Sequence, residues 1–172
     1  MININGLEFF TATNLNWLHI LKNDHHKDIL IEAFKRRVDK HEVSINAFVI
    51  MPNHFHVIWK VHDHIIRGDF QRDLMKFTSR SLMKFMFMND DQILRQLEVK
   101  AADRKRQVWK RNSLAIELTT DFMFKQKLEY IHNNPIQPKW KLSTLPENYV
   151  YSSAEFYESG IDRFNILKDF RD

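Results

Sequence analysis

Cysteine is absent from this chain of 172 residues, which excludes disulfides and thiolate-bound metals and is compatible with a reducing compartment. Glycine is almost as scarce, with 3 residues. No G-x-G-x-x-G or Walker-type run is present, so the backbone phosphate cradles of nucleotide-binding folds are excluded. The 4 prolines form no linker, and internal repeats and low-complexity segments are missing. A single domain over residues 1–172 is therefore expected, with its core at about 7–135 and a C-terminal tail at 136–172. No apolar stretch approaches the roughly 20 residues that span a bilayer. The opening MININGLEFF has neither the basic start nor the apolar run of a signal peptide. These absences set the expectation of a cytoplasmic protein with no membrane partner.

What remains is ordinary globular composition, 44% hydrophobic and 28% charged, compatible with one sizeable core. The net charge of +4 permits a polyanionic partner without demanding one. The distribution is more telling. Lys100–Arg111 (KAADRKRQVWKR) carries six basic residues against one acidic, among them Arg104, Lys105, Arg106, Lys110 and Arg111. Arg72, Lys76, Arg80 and Lys84 recur every fourth residue along a helical pattern. Like charges at that spacing oppose an isolated helix by a few tenths of a kcal/mol each, a sign that a polyanion along the face would reverse. These nine residues are the candidate nucleic-acid contacts, and a solvated helix face is an equally good reading of the first four.

Residues 7–13 (LEFFTAT) read as an opening strand, and 17–21 as part of it or as a bent partner. Residues 24–41 carry apolar side chains at Ile29, Leu30, Ala33, Phe34 and Val38, a helical period. VSINAFVIM (43–51) and HFHVIWKV (54–61) read as two strands joined at Pro52-Asn53. Residues 69–88 read as a helix capped by Asp69, with an apolar stripe at Phe70, Leu74, Phe77, Phe85 and Met88. Residues 89–106 are either an extension of that helix or a loop, and 107–118 contain a further strand. Thr119 or Thr120 caps a last long helix that ends at about Asn133, before Pro135. The first six elements form a βαββαβ order, which predicts an α+β ferredoxin-like antiparallel sheet with helices on both faces.

Side chains alternate along a strand, so His54 and His56 share one face while Phe55, Val57, Trp59 and Val61 share the other. The apolar row should face the first two helices, leaving the last long helix to cover the histidines. On the triplet alone, hydrogen-bonded or wet histidines are the better reading. The last helix changes that balance, because Tyr130 and Asn134 lie one turn apart on one side of it. Two imidazoles and an amide oxygen can ligate a divalent cation, and such an ion beside a phosphodiester withdraws charge from a non-bridging oxygen. A phenol ionises near pH ~10 and is a weak nucleophile until a cation helps it.

MPNHFHVIW (51–59), EYIHNNPIQPKW (129–140) and LPENYVYSSAEFY (145–157) together resemble the REP-associated tyrosine transposases, relatives of the small single-tyrosine HUH transposases. The resemblance implies a ferredoxin-like core and a transposase that cleaves and rejoins single-stranded DNA beside hairpins such as REP-like palindromes. It implies a 5′-phosphotyrosine intermediate, a free 3′-hydroxyl, and Mg²⁺ or Mn²⁺ as cofactor. It places His54 and His56 as metal ligands, Tyr130 as nucleophile and Asn134 as the polar residue completing the metal shell. Relatives include intertwined dimers as well as monomers, so a homodimer is one expected state. The chain departs from the pattern at IQPKWKL, where Pro138 and Lys139 stand in a segment that usually holds a glycine.

Tyr149, Tyr151 and Tyr157 read as packing residues of the tail, and His25, His26, His41, His62, His64 and His132 as surface or packing residues. Trp17, Trp109 and Trp140 read as core or lid, although Trp109, inside the basic run, would suit stacking on an unpaired base. The competing functions are a non-catalytic hairpin-binding module descended from such a transposase and, last, a hydrolase using an activated water.

Overall fold

The computed structural model describes residues 4–171; residues 1–3, the start of the stretch read for a signal sequence, lie outside it. Four strands make one antiparallel sheet: β1 (Glu8–Thr13), β2 (Val43–Met51), β3 (His54–Val61) and β4 (Leu114–Glu117), in the order β2-β3-β1-β4. Between β1 and β2 runs α1 (Asp24–Asp39), and between β3 and β4 runs α2 (Arg67–Met88), followed by the single-turn α3 (Ile93–Gln96). This is the ferredoxin-like topology read from the element order. After β4 come α4 (Asp121–Asn133) and the short α5 (Ala154–Ser159).

The sheet divides two apolar layers. Phe55, Val57, Trp59 and Val61 point into the larger one, with Leu30 and Phe34 of α1 and Phe70, Leu74 and Leu82 of α2. The opposite face of β3 carries Ile58 into a second core with Phe9, Val49, and Phe124 and Ile131 of α4. β3 is thus buried on both sides, which explains its nearly continuous apolar run. Asn23 caps α1 by accepting from the His25 amide, and Thr120 caps α4 by accepting from the Met123 amide.

The tail closes the β2 side of the sheet. Tyr149 donates its hydroxyl to the Ile50 carbonyl and Tyr157 donates to that of Asn46, both at 2.7 Å. Between them, Ser153 Oγ accepts from the Phe48 amide at 3.0 Å. Asn46 sits where the β2–β3 register shifts, so the tail anchors the irregular point of the edge. The three tail tyrosines are packing residues, as the sequence suggested.

Several expectations need correction. Residues 15–17 and 20–22 form 3₁₀ turns rather than a strand. Ile66, not Asp69, is the N-cap of α2, and Asp69 instead sits in the first turn, paired with Arg72 at 2.9 Å. The buried stripe of α2 is Phe70, Leu74, Thr78, Leu82 and Met86. Phe77 and Met88 are exposed, because Thr78 can be buried at no polar cost: its hydroxyl donates to the Leu74 carbonyl and accepts from Trp109 Nε1. Residues 89–106 are neither a helix extension nor wholly irregular, holding α3 and an isolated bridge between Glu98 and Arg106. Trp17, read as core or lid, is 61% exposed.

Candidate functional site

The antiparallel register sets Thr13 opposite His54 and Thr11 opposite His56. Thr11 Oγ1 lies 2.7 Å from His56 Nδ1, and Asn53 Oδ1 lies 2.6 Å from His54 Nδ1. An amide oxygen only accepts, so His54 Nδ1 carries the proton and Nε2 keeps its lone pair. The two rings are 4.7 Å apart between centroids. His56 is 5% exposed, and its Nε2 is buried without a hydrogen-bond partner. A buried polar atom left unmatched is costly and rare enough to call for a missing partner.

α4 lays Tyr130 across this pair. The phenol ring is 5.1 Å from the His56 ring and 6.2 Å from Phe9, centroid to centroid. Half of Tyr130 remains exposed, so it is reachable from solvent while touching a buried histidine. Asn134 follows one turn later with helical backbone angles (φ −58°, ψ −46°) and is buried. His132 points elsewhere, to Ser153 Oγ at 2.9 Å, which ties the end of α4 to the tail. Trp140 covers the other side of His54 at 5.8 Å, and His19 is equally far from Trp140.

The electrostatics keep the histidines neutral. Burial pushes His54 down to about 4, helped by the Lys139 cation. Burial lowers His56 to about 3, aided by the neighbouring His54 and by Lys127. A neutral imidazole is the form that binds a metal. Among the described residues there is no group of three or more His, Cys, Asp or Glu side chains fit to hold an ion. An ion here would rest on two imidazole nitrogens and neutral oxygens. The orphaned Nε2 of His56 and the fixed tautomer of His54 fit that role, each ring being oriented by its other nitrogen.

Thr11, Asn53, Lys127, Lys139 and Trp140 were not singled out for the site from sequence. Lys127 precedes Tyr130 by three residues, a same-side helical spacing that was visible; its Nζ lies 5.8 Å from the Tyr130 ring. Thr11 needed the strand register. Lys139 and Trp140 lie in the segment where the chain departs from the pattern of the transposases it resembles.

The two basic segments come together. Arg72, Lys76 and Arg80 from α2 face Arg104, Arg106, Lys110 and Arg111 across one cleft of about 640 Å³. Lys84, farther along α2, and Lys105 do not line it. The charge is partly offset, since Asp103 pairs with Arg104 and Arg111, Glu98 with Arg106, and Asp69 and Asp73 with Arg72.

No helix among the described residues is long and apolar enough to cross a membrane. No family model matches the chain, and no curated protein does. Solved structures do, two of them as follows. A candidate transposase from Deinococcus radiodurans R1 aligns at 16% identity over 74% of this chain and 88% of its own, with a TM-score of 0.48. A REP-associated tyrosine transposase solved bound to a REP hairpin aligns at 16% identity over 100% of this chain and 91% of its own, with a TM-score of 0.65. The chain shares the fold of that REP-associated tyrosine transposase from end to end.

Proposed function

We propose that the protein is a transposase-type endonuclease that cuts and rejoins single-stranded DNA beside a hairpin, with Tyr130 as nucleophile. The observation that carries the proposal is the contact of a solvent-reachable phenol with a buried histidine whose Nε2 has no partner. The shared fold with a hairpin-bound REP-associated tyrosine transposase supports the substrate class.

His54, His56 and Asn134 would hold Mg²⁺ or Mn²⁺. Such an ion supplies charge withdrawal from a non-bridging phosphate oxygen. The remaining steps belong to the chain. The Tyr130 oxygen attacks phosphorus as its proton leaves, the bond from phosphorus to the 3′ oxygen breaks, and that oxygen departs as a 3′-hydroxyl after taking up a proton. The 5′ end stays on Tyr130 as a phosphotyrosine, and attack by a 3′-hydroxyl reverses the step to rejoin or transfer the strand. Lys127, beside the Tyr130 ring, offsets the developing phenolate. The cations of the cleft, with Lys84 and Lys105 on its approaches, hold phosphates of the substrate without reading sequence.

The test incubates the protein with end-labelled, hairpin-bearing single strands and Mg²⁺ or Mn²⁺. A protein–DNA adduct that resists denaturation and vanishes in Tyr130→Phe is expected. An adduct that persists in that variant overturns the assignment, and normal hairpin binding without cleavage under either ion favours a binding module instead.

A further inference from the structure

Trp17 has no role in the site described so far, yet three features set it apart. It is 61% exposed. Its backbone and that of Asn16 both lie in the left-handed region, at φ 54° and 51°. Asparagine tolerates that region, but tryptophan enters it only at a steric cost, and such strain gathers at functional positions. The strain is held in place by Asn53. Its Nδ2 donates to the Trp17 carbonyl at 3.3 Å, while its Oδ1 accepts from His54 Nδ1. One side chain therefore fixes both the exposed indole and the orientation of a site histidine.

The indole also meets a residue of the basic cleft. Lys110, which lines that cleft, places its Nζ 4.5 Å over the Trp17 ring. The loop carrying it is stitched to the end of β1: Leu15 donates its amide to the Val108 carbonyl, and Lys110 donates to that of Thr13, the residue paired with His54. Trp17 is thus tied through Lys110 to the cleft and through Asn53 to His54. Singly exposed aromatics are common on surfaces. An exposed, strained one bridging a seven-cation cleft and a tyrosine–histidine site has the composition of a single-strand platform, cations for phosphates and a π-face for a base.

We infer that Trp17 stacks on one unpaired base of the DNA strand between the hairpin and the scissile phosphate, setting where the strand is cut. The inference rests on the DNA reading above and concerns positioning of the strand, not the chemistry of cleavage. It makes Trp17 a positioning residue, with Lys110 on the adjoining phosphate.

The experiment measures binding without divalent ion, using the full chain and labelled hairpins that carry a single-stranded extension. Each nucleotide of the extension is replaced in turn by an abasic one. A stacked base is worth about five- to 150-fold in affinity. We expect wild type to lose that factor at one abasic position. Trp17→Ala should show the same loss on the intact strand and none further at that position, with Trp17→Tyr restoring most of it. The bare hairpin should bind wild type and Trp17→Ala alike. The inference is overturned if Trp17→Ala binds the extended strand as wild type does, if it loses equally on the bare hairpin, or if no single strand binds. Absence of a Tyr130 adduct would sink the cleavage proposal and leave this measurement standing.

Discussion

Acid should unfold the metal-free protein at a pH where its carboxylates are still ionised. Three histidines are held below the ordinary value of 6.5 by burial: His54 and His132 at about 4 and His56 at about 3. Below pH 6.5 the unfolded chain takes up three protons that the folded one refuses. Stability is therefore full above that pH and is lost as the pH falls toward the folded values. Each refused proton costs about 1.4 kcal/mol per pH unit. By about pH 5 each histidine has removed about 2 kcal/mol, or about 6 for the three, a large share of the 5–15 kcal/mol typical of a domain. The assay is urea unfolding followed by tryptophan fluorescence in pH steps from about 7.5 to 5 with chelator present. The midpoint should fall steeply, and replacing His54 and His56 together by Asn should remove about two thirds of the pH dependence, whatever it does to the baseline. Stability that stays level to about pH 5 and drops only near 4, where carboxylates titrate, would refute the account.

Two further outcomes follow from the fold and the cleft. Neutralising Arg72, Lys76 and Arg80 to Gln should lower the slope of log affinity for hairpin DNA against log salt by about 2–3, at roughly 0.7–0.9 for each phosphate no longer neutralised; an unchanged slope would remove the cleft from the interface. Tyr149→Phe should cost about 1 kcal/mol in urea unfolding by deleting a buried bond to the Ile50 carbonyl, whereas Tyr151→Phe, whose hydroxyl meets Asp28 in an exposed setting, should cost clearly less.

The sheet was legible because its strands announce themselves locally. The bounds of β2 and β3 coincide with the apolar runs at 43–51 and 54–61, and the alternation in β3 assigned its two faces correctly. What failed was decided by partners distant in sequence. Thr78 was not part of the stripe read from sequence, and its hydroxyl is matched by Trp109, 31 residues on, which donates to it. That single match rotates the buried stripe of α2 away from Phe77. Trp17 was read as core or lid, and it lies exposed at a turn where its own backbone and that of Asn16 are left-handed. The site was half legible. His54, His56 and Tyr130 could be paired by strand alternation and helix spacing, but Thr11 and Asn53, which orient the rings, needed the register of β1 against β3. The basic runs at 72–84 and 100–111 gave no sign from sequence that most of their cations share one cleft.

The site so assembled is short of negative charge. Its two histidines are neutral, Lys127 and Lys139 act on them as nearby cations, and no carboxylate cluster among the described residues backs them. Proteins that hold hard divalent ions tightly by themselves surround them with carboxylates. On the proposed function the anion would come from the substrate, a DNA phosphate being the group that both lysines would also attract. Ion and strand would then each raise the affinity of the other by the same factor, as linkage requires. On the proposed function the histidine pair is completed by its substrate. On that reading the ion would occupy His56 Nε2, buried without a hydrogen-bond partner, and the substrate phosphate would complete the ion's shell.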